Sequence, residues 1–438
     1  MLEKQLHPYL RAVLATVRRR SLLAPGDVVL AAVSAGPDST ALVAALAALR
    51  DAGAIANVLA LHVDHGLRQG GAEDAACAAA ACARLGVAFE SVRVEVARGN
   101  VQAQARRARY AALREAAARA GANRIATGHT RTDQAETVLL RLLRGAGARG
   151  LGGIPPRRGP FVRPLIDRSR AEGIAWLSEL GLRWRDDPTN ATPRFARNRL
   201  RLSAWPHLVA LAPAAERALA RTADLSRDDD RALSARARAI AGDGEHVALA
   251  VLRAEPLAVR RRVVRRLWRA AGGRASALEA KHVEAVLALA GKRRPGRATL
   301  PGGLEARCRY GRLEVGTRAA APAPALDEVT VPGPGRYAVP SRGVIVEVSA
   351  RDAAAVPWPV TLRTRRPGDR FRPEGGSGTK KLKAWLIDRK VPREQRDALL
   401  VVVAATGRTV LALPELSAFA QGIGPAGAGL IVRVDARP

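Results

Sequence analysis

The stretch Asp27–Leu46, "DVVLAAVSAGPDSTALVAAL", decides how the rest of the chain is read. Val28–Val33 is an unbroken apolar run of strand length, and Ser39–Leu49 has helical periodicity. Between them lies a turn of Ser34, Ala35, Gly36, Pro37, Asp38 and Ser39. Gly36 supplies backbone freedom, and small Ser34 and Ala35 let an anion approach the amide groups. The helix that follows adds the positive end of its dipole. The turn is therefore a candidate phosphate cradle, although it lacks the GK[ST] ending of the common P-loop. Asp38 can hold Mg2+ through the phosphates. The plainer reading of Ser39 is a helix N-cap.

Outward from this turn the pattern alternates. Strands are expected at Asn57–Val63, Val87–Val94 and Arg124–Thr127. Helices are expected at Ala72–Leu85, Gln102–Ala120 and Asp133–Arg144. Such alternation predicts an α/β fold with a doubly wound parallel sheet, whose ligand sits beyond the carboxyl ends of the strands. Two more clusters fall at those ends. In "LHVDHGLR", Leu61–Arg68, His62 and Asp64 share one face of an extended segment and His65 takes the other, which disfavours a metal site. A nucleotide-facing edge is the better reading, with His62 and Val63 beside a base and Arg68 reaching phosphate; the plainer reading is a capped strand end. In "ATGHTRTDQAET", Ala126–Thr137, Gly128 and His129 leave a strand, and Asp133 and Glu136 share a helix face. Acids in a first turn also stabilise the helix dipole without any catalytic role. Beside a phosphate turn, however, the group makes a candidate Mg2+ and acid–base cluster, with Asp38 and Asp133 as the metal-binding candidates.

Composition narrows the class. The chain has 438 residues, 48% hydrophobic, and a formal net charge of +32. Two or three domains are expected from the length, and the arginine-rich excess points to a polyanionic partner. An alanine- and arginine-rich composition also accompanies GC-rich genomes. Cys77, Cys82 and Cys308 form no disulfide framework, and the first two lack C-x-x-C spacing. The first residues show no secretory pattern and no apolar run is long enough to span a membrane, so a cytoplasmic location without membrane association is expected.

Taken together, the motifs resemble a known family. The turn at residues 34–39 is similar to the SGGxDS loop of the PP-loop ATP pyrophosphatases, the adenine-nucleotide α-hydrolase-like fold. With "HVDHGLR" and "GHTRTDQAET" the chain resembles the tRNA(Ile)-lysidine synthases in particular. "GNVQAQARRARY" (Gly99–Tyr110), "RPLID" (Arg163–Asp167), "WRDDPTNATPRFARNRLR" (Trp184–Arg201) and the basic stretch Arg363–Asp397 follow in family order. Two departures stand out: Ala35 replaces the second residue of SGG, and Thr132 stands where many relatives carry the first of two aspartates.

The resemblance implies ATP-dependent joining of L-lysine to C2 of the wobble cytidine of a tRNA(Ile) with a CAU anticodon, through an adenylated tRNA. ATP and Mg2+ are the implied cofactors. The implied catalytic residues are Asp38, Asp133, Arg106 and Glu136, with Asp133 the first candidate either to accept a proton from the lysine amine or to hold Mg2+. Arg106 stabilises the α-phosphate or holds the lysine carboxylate; the plainer reading is a solvated helix face. RNA contacts are expected from Arg197, Arg201, Arg363, Arg365, Arg366, Arg370, Lys380 and Lys381. Trp385 and Leu386 suggest a packed element with one basic face. The expected domains are a catalytic domain over 1–212, a mostly helical central domain over 213–350 and a small α+β RNA-binding domain over 351–438. A homodimer is left open. A tRNA thiolase of the same fold, an amide-forming synthetase and a non-catalytic tRNA-binding protein are the rivals. The cysteine placement, the lack of a glutamine-hydrolysing module and the retained acids count against them in turn.

Overall fold

The computed structural model describes residues 6–66, 70–95, 101–186, 196–274, 277–292, 294–317, 328–339, 344–376, 378–391, 393–405 and 407–436. The chain divides into two compact units, residues 1–266 and 267–438.

The first unit is built in the order α1 (Pro8–Arg19), β1 (Val28–Val33), α2 (Pro37–Asp51), β2 (Asn57–Asp64), α3 (Gly71–Arg84), β3 (Ala88–Arg93), α4 (Val101–Arg119), β4 (Arg124–Ala126) and α5 (Arg131–Leu142). There follow α6 (Ala148–Leu151), β5 (Arg157–Arg158), β6 (Phe161–Val162), α7 (Arg170–Glu179), α8 (Ala196–Arg199), α9 (Trp205–Leu211) and α10 (Ala215–Ala241). The six strands form one sheet in the order β3-β2-β1-β4-β6-β5. Every neighbouring pair is parallel except the short β5–β6 edge. Central β1 reads as a continuous apolar run because both of its faces are covered. On one face Val29, Ala31 and Val33 pack with Val13 and Val17 of α1, Leu42 and Leu46 of α2 and Trp176 of α7. On the other, Leu30, Leu61 and Ile125 pack with Leu113 and Ala116 of α4. This is the expected doubly wound arrangement.

Helix starts differ from the sequence reading where a cap competes. Helix α5 begins at Arg131, not Asp133, because Thr130 is its N-cap and closes a capping box with Asp133. Helix α2 begins at Pro37 with Gly36 as N-cap, so Ser39 is not the cap. Its hydroxyl instead donates to Gly36 O at 2.9 Å and accepts from Ser34 N at 3.0 Å, folding the turn onto itself.

The expected catalytic domain ended at residue 212, but the compact unit continues to Arg266. The reason is α10, which is tied to the sheet-bearing region by ion pairs and hydrogen bonds. Arg20 forks both Asp167 and Asp224, each at 2.7 Å. Arg131 pairs with Glu216 at 2.8 Å, and Arg227 donates to Gly152 O at 2.6 Å.

In the second unit, helix Ala280–Gly291 precedes an antiparallel sheet of Gly296–Leu300, Leu304–Arg309 and Arg312–Thr317. Helices Ala215–Ala241, Leu249–Ala254, Leu257–Ala270 and Ala280–Gly291 make the central region mostly helical, as expected, with this small sheet added. The C-terminal fold starts before the expected residue 351. Val329–Val331 pairs with Val360–Thr364, and Gly335–Val339 joins a sheet with Val344–Ser349 and Ile431–Ala436. Leu382, Trp385 and Leu386 of helix Leu382–Asp388 are buried, with Trp385 edge-on to Phe371, while Lys383 faces outward, as the one-basic-face reading expects. No helix among the described residues is long and apolar enough to cross a membrane.

Candidate active site

Strand order reverses between β1 and β4, the place where open sheets of this kind take their ligand, beyond the carboxyl ends of the strands. The register sets Ala31 beside both Ala60 and Ala126, so the three loops that follow leave the sheet at one edge. The first of those loops is the turn 34–39. Its left-handed residue is Ala35, at φ 60°, whereas Gly36 is extended at φ −70°. The backbone freedom expected of Gly36 is thus required one residue earlier, at a strain of about 1–2 kcal/mol for alanine. The buried Ala35 methyl packs in the core, and Ala35 O accepts from Arg185 N at 3.0 Å, which fixes the conformation. Gly36 keeps open space: a Cβ built on it would come no nearer than 3.8 Å to Ser34 Oγ. The first-turn amides of α2 have no intrahelical acceptor and face this space.

The second loop carries Gly128 and His129. A Cβ on Gly128 would meet Asp38 O at 2.8 Å, so only glycine lets the β4 loop touch the start of α2. His129 Nδ1 lies 2.9 Å from the Thr127 hydroxyl. Burial, with Arg163, Arg106 and Arg109 nearby, pulls the imidazole down to about 4 against the attraction of Asp133. The third loop follows β2. His62 is buried and its Nδ1 lies 3.1 Å from Val33 O, pinning the ends of β1 and β2 together. Val63 pairs with Val92 of β3 and is half-buried. Arg68 lies outside the described residues.

The acids converge on a guanidinium that the sequence reading missed. Arg170 Nε donates to Asp38 Oδ2 at 2.9 Å, and Arg170 Nη2 lies 3.9 Å from Asp133 Oδ1. The other oxygen of Asp133 accepts from the Thr130 amide at 3.0 Å, so the capping role and a site role coexist on one carboxylate. Burial opposes charge on Asp133, but His129, the Thr130 amide, Arg170 and Arg197 outweigh it and hold its carboxyl below the usual range. Burial wins at Asp38, whose carboxyl is raised in spite of Arg170. Glu136 is also raised by burial, although Arg201 grips both its oxygens, at 2.8 and 3.0 Å, and Arg197 approaches to 3.3 Å. Arg197 and Arg201, expected among the RNA contacts, are therefore held at the acid cluster. A readable signal for Arg170 exists: arginine at the first position of α7 opposes the helix dipole, so its reason lies elsewhere.

Thr132 explains its own departure. Its hydroxyl accepts from Arg170 N at 3.1 Å and donates to Glu216 Oε2 at 3.2 Å, a place where an aspartate would face Glu216. Thr132, Glu136, Arg170, Arg201 and Trp205 line a cleft of about 780 Å³ beside the acids. The donor set suits Mg2+: Asp38 and Asp133 are hard oxygen ligands that already share one cation, and Mg2+ sites take one or two carboxylates plus phosphate oxygens. Arg106 donates to Tyr110 Oη at 3.1 Å and lies over the Tyr110 ring.

The expected RNA-contacting residues of the second unit divide. Arg363 is a correction: it is buried and bidentate with Asp369, at 2.7 and 3.0 Å, so it holds the fold together. Arg365 pairs with Asp397 and, with Lys381, lines a cleft of about 520 Å³. Arg366, Arg370, Lys380 and Lys381 are exposed; Arg366 meets Glu328 at 2.6 Å and Lys380 lies 3.8 Å from Asp388.

Comparison with known proteins matches this geometry. A PP-loop domain model matches residues 10–208, a TilS substrate binding domain model residues 248–314 and a TilS substrate C-terminal domain model residues 360–432. The tRNA(Ile)-lysidine synthase of Symbiobacterium thermophilum is 39% identical over 93% of each chain. That of Geobacter sulfurreducens is 35% identical, covering 89% of this chain and 90% of its own. That of Geobacillus kaustophilus is 33% identical, covering 94% and 97%. With a PP-loop crevice, its acid cluster and matches along nearly the whole length, this chain belongs to the tRNA(Ile)-lysidine synthase family of ligases.

Proposed function

We propose that the protein joins L-lysine to C2 of the wobble cytidine of a tRNA(Ile) with a CAU anticodon, at the cost of ATP. The observation that carries the reading is the meeting of the 34–39 turn, Asp38, Asp133 and Glu136 at the β1–β4 switch point. The C2 oxygen of cytosine is a poor leaving group. Its attack on the α-phosphorus breaks the bond to the β-phosphate oxygen and releases pyrophosphate. The lysine ε-amine then attacks C2, and AMP departs with that oxygen. A free amine has a pKa of about 10.4, so a base must accept a proton.

The chain's own groups divide this work. The amides of Ala35, Gly36, Asp38 and Ser39 cradle phosphate, Pro37 having no N–H to give, and the closed turn excludes the Ser39 hydroxyl from the ligand. Asp38 and Asp133 would hold Mg2+, which would supply neutralising charge on the phosphates. Asp133, with its low carboxyl, keeps negative charge in place. Glu136, with its raised carboxyl, is the better matched proton acceptor. The 780 Å³ cleft beside it has room for an amino acid. Arg106, exposed and held by Tyr110, offers its guanidinium to an anion. The exposed cations of the second unit hold tRNA phosphates, which gives affinity and register without reading the base.

Purified protein with ATP, Mg2+ and labelled lysine should label a tRNA(Ile) transcript bearing CAU. Absence of label, with sulfur incorporated instead, would move the protein to the thiolases.

A further inference from the structure

A second group of cations at the crevice is not used by the acid cluster. Arg163 follows β6 directly and is only 3% exposed. Its Nη1 donates to Pro155 O at 2.7 Å and its side chain also bonds Tyr110, while Nε has no partner. No carboxylate pairs with it among the described residues. An arginine this deeply buried without an anion is costly, since interior charges are normally paired.

Its neighbours make the cost larger. Tyr110 Oη is already bonded by Arg106, and Arg109 lies with its guanidinium carbon 6.0 Å from the Tyr110 ring centroid. Arg109 carries no ion pair among the described residues. Burial and the charge of Arg106 lower the guanidinium of Arg109, and burial with Arg106 and Arg158 lowers that of Arg163. His65, whose buried Nδ1 is also unpartnered, feels Arg109, and His129 feels all three arginines. The donors gather about Tyr110 and His129: Arg163 is buried, Arg109 and His129 are half-buried and Arg106 is exposed, so together they form a candidate anion pocket.

We propose that this pocket binds a phosphodiester of the RNA strand that carries the target base, as an anion site separate from the 34–39 turn. Three guanidinium groups match a phosphate better than a free amino acid, whose ammonium would sit beside its carboxylate and be repelled. A polymer is favoured over a second phosphate of ATP because exposed Arg107, Arg114 and Arg158 continue the positive surface outward from the pocket. This identification of the ligand rests on the proposed tRNA substrate; the existence of the anion site does not.

The test is binding of a hairpin RNA with a CAU loop, titrated across salt concentration, beside binding of ATP. Arg109→Gln should weaken RNA binding about tenfold, lower the log–log salt slope by about one, and leave ATP affinity within twofold. Arg163→Lys, which keeps the charge but loses the fork, should weaken RNA binding by a smaller factor and leave the slope unchanged. Unchanged RNA binding in both variants, with unchanged melting, would overturn the site. Loss of ATP affinity with RNA binding intact would overturn the RNA assignment and give the pocket to the nucleotide. A wild-type protein that binds RNA through Arg109 yet attaches no lysine would sink the proposed reaction and leave the pocket standing.

Discussion

Arg170 shows how a single residue organises the acids. It lies 2.9 Å from Asp38 and 3.9 Å from Asp133, and without it two partly buried carboxylates face each other. Arg170→Gln should therefore cost about 2 kcal/mol of stability without ligand, and Mg2+ with ATP should recover most of it by replacing the charge. Thermal melting with and without Mg2+ and ATP measures both; a variant that melts with the wild type would show that Arg170 does not balance these acids. Arg170 was only weakly legible, because an arginine at a helix start looks like a surface residue until its partner is known. Arg163 was still less so, since the RPLID segment carries no sign of burial. That Asp38, Asp133 and Glu136 meet was legible from spacing alone, because strand ends gather residues that are far apart in sequence. Ala35 was legible as a departure, but its conformation was not: composition gives no φ.

At the scale of elements, the strands β1 to β4 and helices α2 to α5 were readable because each shows a clear period. The misreadings have physical causes. Caps moved the starts of α2 and α5, and the many arginines and acids of α10 look solvated in sequence. In fact those arginines and acids anchor it. Asp224 accepts from both Arg20 and Arg227. Burial opposes its charge, but the two arginines outweigh it and lower its carboxyl below the ordinary 3.8. A lowered carboxyl stabilises the fold above that value, and the contribution is lost as pH falls through the lower folded value. Asp224→Asn should thus cost about 1 kcal/mol at pH 7, a figure kept small by solvent screening. Below pH 4 the gap to wild type should shrink toward zero. Melting curves from pH 7 to pH 3 read this out; a gap that stays constant would mean that the charge of Asp224 plays no part.

For the whole molecule, net charge of +32 is a guide to partner but not to which cation meets it. Arg363 and Arg366 stand three residues apart and differ completely. Arg363→Ala strands a buried Asp369 and should destabilise the second unit by about 3–5 kcal/mol. Arg366→Ala with Lys380→Ala should leave melting unchanged, weaken tRNA binding and lower its salt slope by about two. If the pair unfolds the protein, or if Arg363→Ala melts like wild type, the division between framework and contact residues is wrong. Sequence could not separate them because both are arginines in one basic run, and only the return of Asp369 onto Arg363 distinguishes them.

The glycine at 128 bears on how the crevice can move. Because its backbone rests on that of Asp38, the half of the sheet carrying β1 to β3 and the half carrying β4 to β6 abut at the site through main chain, not through side chains that can swing aside. At this point the β4 loop and the start of α2 are already in close main-chain approach, with no room for a side chain between them. The crevice behaves as a fixed jig, and any closing over the substrates must come from segments outside the sheet.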